Sequence, residues 1–143
     1  MKIIQITDLH IDIEGESPFD IDVRKNFLKI IEKIRILEPE HLVISGDLCY
    51  RDGDVSIYDW IKKVIDATEI PYSIIAGNHD DSALLAKAFK LEHLMIGDEL
   101  FFAKKIGKST FLFLDSSKGY HSVTQLKWLK SQLKNARFPR NKY

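Results

Sequence analysis

Three short apolar runs, each too short for a helix and each ending in a knot of polar residues, constrain this chain more than any other feature. Lys2-Ile3-Ile4-Gln5-Ile6 runs into Thr7-Asp8-Leu9-His10, His41-Leu42-Val43-Ile44 into Ser45-Gly46-Asp47, and Pro71-Tyr72-Ser73-Ile74-Ile75-Ala76 into Gly77-Asn78-His79-Asp80. Helix-length stretches separate them. Phe19, Val23, Phe27, Ile30, Ile31, Ile34 and Leu37 recur at steps of three and four, a helix face that Pro39 closes. Ile57, Trp60, Ile61, Val64 and Ile65 mark a second. Strands alternating with helices predict an α/β fold, a parallel or mixed sheet flanked by helices.

Further along, Ser82 to Phe89 reads as a short helix, and Leu100 to Ile106 with Thr110 to Leu114 as a hairpin around Gly107-Lys108-Ser109. Val123, Leu126, Leu129 and Leu133 form one face of a last helix. Nothing repeats at a fixed period. One domain is expected over residues 1–135, with an unpatterned tail at 136–143.

Composition narrows the function classes. Lys+Arg and Asp+Glu number 21 each, so the formal charge is zero, against a broadly basic nucleic-acid binder or a polybasic membrane anchor. Cys49 is the single cysteine; it excludes an internal disulfide and fits a reducing compartment. No apolar run approaches the ~20 residues of a membrane span, and Asp8 comes too soon for a secretory leader. The expectation is a cytoplasmic chain with no membrane partner. Lys130 to Lys142 reads as a solvated basic end. Gly107-Lys108-Ser109-Thr110 resembles the end of a phosphate-binding loop, but Phe102 stands where its first glycine belongs and a hairpin turn is the wrong context. Trp60 and Trp128 read as core, and Cys49 as an inert core thiol.

In open α/β sheets, sites form beyond the carboxyl ends of the strands, so residues distant in sequence converge there. The polar residues at these ends are carboxylates, an amide and imidazoles, a donor set that suits Mn, Fe or Zn. Gly46 and Gly77 precede polar residues and permit sharp turns or close backbone approach. Each piece alone is ordinary turn chemistry; all three in order, each at a strand end, are not.

Asp8-x-His10, Gly46-Asp47 and Gly77-Asn78-His79-Asp80 together resemble the first three motifs of the calcineurin-like metallophosphoesterases. Leu114-Asp115-Ser116 and Gln125-Leu126-Lys127-Trp128-Leu129 bring the likeness closest to the bacterial cyclic-nucleotide phosphodiesterase branch. The resemblance spans Lys2 to about Leu133. It implies a two-sheet sandwich flanked by helices and two divalent metal ions. Asp8 and His10 would bind the first metal, Asp47 would bridge both, and Asn78 would bind the second. His79 would stand beside the phosphate as acid or hydrogen-bond donor, with Asp80 orienting its ring. The implied function is metal-dependent phosphoester hydrolysis by a two-metal-activated hydroxide on a small phosphodiester, a cyclic nucleotide foremost. The loop Gly46-Asp47-Leu48-Cys49-Tyr50-Arg51-Asp52-Gly53 lacks the order Gly-Asp-x-x-Asp-Arg-Gly of protein phosphatases.

The family also carries three histidines in Gly-His and Gly-His-x-His motifs near its C-terminus, and neither motif occurs here. His41 and His93 read as structural, and His121 is a weak substitute ligand. The expectation is a domain incomplete at its C-terminus, with one apolar sheet face left for a second copy or a complementing chain. The alternative function is a non-catalytic remnant or interaction protein holding at most a partial metal site.

Overall fold

The computed structural model describes residues 1–135; the tail expected at 136–143 lies outside them. Strands β1 (Ile3–Ile6), β2 (His41–Ser45) and β3 (Tyr72–Ile75) form a parallel sheet in the order β1-β2-β3. Parallel neighbours need a crossover. Helix α1 (Val23–Leu37) supplies the first and α2 (Val55–Asp66) the second. Ile6 pairs with Ile44 and Ser45 with Ile75, so all three strands end at one edge. That edge receives the three polar knots.

Each crossover helix opens on an aspartate. The Asp22 carboxylate accepts the Lys25 N–H, and Asp54 accepts those of Ser56 and Ile57, satisfying donors that a helix start leaves orphaned. Helix α1 buries Phe27, Ile31 and Ile34, each contributing ~1.5–3 kcal/mol. Ile57, Tyr58, Ile61 and Ile65 are the buried residues of α2. The first helix face was expected to include Phe19, Ile30 and Leu37; Ile30 and Leu37 are exposed on the helix, and Phe19 is not part of it. Phe19 lies in a separate 3-10 turn, Pro18–Asp20, because Asp22 caps the helix three residues later.

Strand β2 is buried from His41 to Ile44, as a strand covered on both faces requires. Ile6 and Phe27 line one cavity on the α1 side. On the other side lies the antiparallel hairpin β6 (Phe102–Ile106) and β7 (Ser109–Phe113), turning at Gly107-Lys108. Phe111 and Phe113 share a groove with Ile3, Val43 and Ile75, and Lys104 Nζ donates to the Tyr72 carbonyl at 2.9 Å. The face expected to lie bare is therefore covered over β2 and β3, where Val43, Ser73 and Ile75 are buried, while Gln5 on β1 stays exposed. The α/β class holds, but parallel and antiparallel pairing occupy separate sheets. Leu100 to Ile106 is not one strand: β5 (Glu99–Leu100) pairs with β4 (Met95–Ile96), and β6 pairs with β7.

Buried His41 meets Ser73 Oγ at 2.9 Å through Nε2, and burial, helped by Lys104, holds its imidazole below the usual range. It is structural, as expected. His93 is exposed in the turn Glu92–Leu94. Both tryptophans pack as expected: Trp60 against Phe27 and Trp128 against Phe101. Helix α4 (Val123–Asn135) departs from its pattern, since Val123, Leu126 and Leu133 are exposed. Its anchor is polar. Gln125 Oε1 accepts the Asp115 N–H at 2.7 Å, and Nε2 donates to the Asp115 carbonyl at 2.9 Å. The Asp115 carboxylate accepts from Ser82 Oγ, the Leu100 N–H and Ser117. Among the described residues no helix is long and apolar enough to cross a membrane.

Candidate functional site

Beyond the strand ends, the backbone keeps pairing. The Asp8 N–H donates to the Gly46 carbonyl at 3.1 Å, His10 to Asp47 at 3.0 Å, and Ile11 to Leu48 at 2.8 Å. The first polar knot is thereby tied to the second. Asp8, His10 and Asp47 all adopt left-handed φ, at 55°, 45° and 51°. Non-glycine residues hold that region at a cost of about 1–3 kcal/mol each, and such costs cluster at functional sites. The second and third knots are in direct contact. A Cβ on Gly77 would stand 2.2 Å from Asp47 Oδ1 and 2.3 Å from Asp47 N, and one on Gly46 would stand 2.8 Å from Gly77 Cα. Only two glycines let these loops cross so closely.

The crossing gathers donors. His10 Nε2 lies 3.9 Å from Asp8 Oδ1 and 3.8 Å from Asp47 Oδ2. Those separations exceed a hydrogen bond, yet two ligands each ~2.0–2.2 Å from one cation stand about 3–4 Å apart. His10, Asp47 and His79 offer ligand atoms all within 4.8 Å of one another. One carboxylate and two imidazoles so gathered suit a divalent cation by spacing and by chemistry, and Asp8 adds a second carboxylate beside His10. His10 Nδ1 is buried without a hydrogen-bond partner, so it is Nε2, beside both carboxylates, that can join them in ligation. Asn78 lies exposed on the β3 exit loop.

His79 is held at two points. Its N–H donates to Asp47 Oδ1 at 3.1 Å, and its Nδ1 donates to the Arg51 carbonyl at 2.9 Å. The carbonyl can only accept, which fixes the proton on Nδ1 and leaves Nε2 for other work. The ring stands edge-on to His10, centroids 5.2 Å apart.

Asp80 does something other than orient that ring. Its carboxylate accepts the backbone N–H groups of Leu48 at 3.1 Å, Cys49 at 3.2 Å and Gly77 at 2.9 Å, and the Tyr58 hydroxyl at 3.1 Å. Burial pushes its carboxyl above the usual carboxylate range, against those donors. Asp80 is the rivet between the β2 and β3 exit loops, and Arg51, through its carbonyl, takes the expected role beside His79. A backbone carbonyl leaves no mark in a sequence. Tyr58, pushed up by burial, also accepts the Asp81 N–H at 3.0 Å and so ties α2 to the start of α3 (Ser82–Ala88). Cys49 is fully buried, its thiol pushed up to about 11 by burial, and is inert as expected. His121 is exposed, donating from Nδ1 to the Asp115 carbonyl at 3.2 Å, and is not among the gathered donors.

A family model described as calcineurin-like phosphoesterase matches residues 1–140. The chain is similar to a probable cyclic nucleotide phosphodiesterase of Fibrobacter succinogenes, 35% identical over 132 residues, covering 92% of this chain and 51% of that protein. It is also similar to a 3',5'-cyclic-nucleotide phosphodiesterase of Nostoc sp., 31% identical over 142 residues, covering 94% of this chain and 52% of the other. Among solved structures, a purple acid phosphatase from yellow lupin (Lupinus luteus) superposes with a TM-score of 0.61 at 16% identity, covering 95% of this chain and 28% of that one, a likeness of fold alone. The chain spans about half the length of the curated relatives it matches.

Proposed function

Because this chain belongs to the calcineurin-like phosphoesterase family, we propose that it carries the metal-holding face of a phosphodiesterase, with a cyclic nucleotide as the first candidate substrate. The observation that carries this reading is the convergence from three strand ends of His10 on the Asp8 and Asp47 carboxylates, with His79 beside them. Relatives named for cyclic-nucleotide diesters support the substrate. The lone buried thiol of Cys49 supports a reducing compartment such as the cytoplasm.

In this reading Asp8, His10, Asp47 and Asn78 would hold the divalent cations, and Mn, Fe and Zn all suit these donors. Bound divalent ions supply Lewis acidity and lower the pKa of water toward neutrality. The rest is done by the chain. Hydrolysis forms one P–O bond from water and breaks another, and the departing oxygen needs a proton or a hydrogen bond. His79 is built to supply it. With Nδ1–H pinned to the Arg51 carbonyl, Nε2 is the nitrogen left to carry a proton. The Asp47 carboxylate holds the His79 backbone, so the acid is tied to the carboxylate beside it.

The test is hydrolysis of bis(p-nitrophenyl) phosphate by metal-stripped protein given Mn, with Asp47→Ala alongside. Mn-dependent turnover should appear and fall in the variant by more than the ~10–100-fold that loss of an outer ligand partner costs. Turnover that survives Asp47→Ala would overturn the assignment of this site.

A further inference from the structure

One large aromatic on this molecule stands in solvent beside the candidate site. Phe19 is 83% exposed, and its backbone, like that of Asp20 after it, is left-handed, at φ 53° and 59°. Both choices are costly: an apolar ring left in water forgoes burial, and left-handed backbone disfavours residues with a Cβ. The ring touches Tyr50 edge to face, centroids 6.1 Å apart. Tyr50 in turn stands edge-on to His10 at 6.3 Å, and His10 to His79 at 5.2 Å. Edge contacts thus run in a row from exposed Phe19 through Tyr50 and His10 to His79. Tyr50 follows Cys49, which bridges to Ile11, and its N–H donates to the Ile11 carbonyl at 2.9 Å, so the middle of the row is fixed to the loops that carry the site.

Resting on the phosphodiesterase reading above, we propose that Phe19, backed by Tyr50, is the platform on which the nucleobase of the substrate stacks while its phosphate lies at the Asp8–His10–Asp47 end of the row. Every base offers a π-face, so an aromatic platform accepts purines and pyrimidines alike. An exposed ring with a single aromatic neighbour has surface to give, and the turn Pro18–Asp20 carries it. The platform acts on substrate binding. It has no part in bond breaking.

Equilibrium dialysis of the Mn-loaded chain with AMP and with ribose 5-phosphate tests this, since the two share sugar and phosphate and differ by the base. Wild type should bind AMP more tightly, about tenfold. Phe19→Leu, which keeps apolar bulk and removes the ring, should bring the two affinities together, Phe19→Trp should restore the gap, and ribose 5-phosphate binding should not move. Equal affinities in wild type, or a gap that Phe19→Leu leaves intact, overturns the platform. A thermal melt checks the fold, which an exposed side chain leaves unaltered. Failure of the phosphodiesterase reading shows separately, as turnover indifferent to Mn or to Asp47→Ala.

Discussion

Asp80 is the residue on which the geometry of the candidate site turns. Three backbone N–H groups, those of Leu48, Cys49 and Gly77, end on one carboxylate, and they belong to two loops that nothing in local sequence holds together. Removing the acceptor strands donors in a half-buried place, each costing about 1–3 kcal/mol. Asp80→Ala should therefore lower unfolding stability by about 3 kcal/mol or more, read as a lower urea midpoint at unchanged slope. A second readout separates a rivet from a ring-orienting partner of His79. If Asp80 acted only on the imidazole, stability would stay within about 1 kcal/mol of wild type while turnover fell. Tyr58→Phe, which removes one donor to the carboxylate and the acceptor of the Asp81 N–H but leaves Asp80 bound to three backbone N–H groups, should cost less than Asp80→Ala.

Among the elements, α4 shows where a sequence pattern misleads. Its apolar spacing marks Val123, Leu126 and Leu133 as a buried face, yet all three are exposed. What fastens the helix is Gln125, which returns both hydrogen bonds of the Asp115 backbone and also approaches Glu99 at 3.4 Å, with Trp128 against Phe101. Gln125→Leu keeps the volume and deletes the bonds. It should raise amide exchange along α4 and in the Asp115 loop by about tenfold or more, while α1 and α2 keep their protection; uniform protection in the variant would mean that apolar contacts hold the helix. The three strands and both crossover helices were legible because an apolar period runs through each, although on α1 that period also took in Ile30 and Leu37, which are exposed. The place of Phe19 was not legible, since an apolar residue four before Val23 imitates helix spacing while Asp22 sets the true start. Two-residue strands such as β4 and β5 carry too little pattern to announce themselves. At the site, every carboxylate and imidazole that gathers could be named from its place after a strand, whereas the Asp80 carboxylate binds backbone N–H groups and Arg51 acts through its own carbonyl, contacts that residue types do not encode.

At the scale of the whole molecule, the parallel sheet and its helices hold the strand ends in register, and the exit loops store strain at Asp8, His10 and Asp47 in return. Left-handed backbone at three positions persists because the loop ladder and the Gly46–Gly77 crossing fix it from both sides. A donor set already assembled has little ordering left to do when a cation arrives, so binding free energy passes into stability. For a ligand that binds only the folded state, the gain is about 2.7 kcal/mol at a hundredfold excess over Kd. In a chain of this length, that corresponds to a rise in Tm of roughly 10 °C. Metal-stripped wild type should therefore melt progressively higher as Mn is added. Asp47→Ala, measured against its own metal-free melting point, should hardly move, because it removes the carboxylate that faces both His10 and His79. Asp8→Ala should respond weakly, since Asp8 contributes one exposed carboxylate to the same imidazole. A Tm insensitive to Mn in wild type, or an equal rise in all three proteins, would mean that the strained loops are shaped for something other than a cation. The measurement needs no substrate and no turnover, so it examines the proposed metal-holding face apart from any activity.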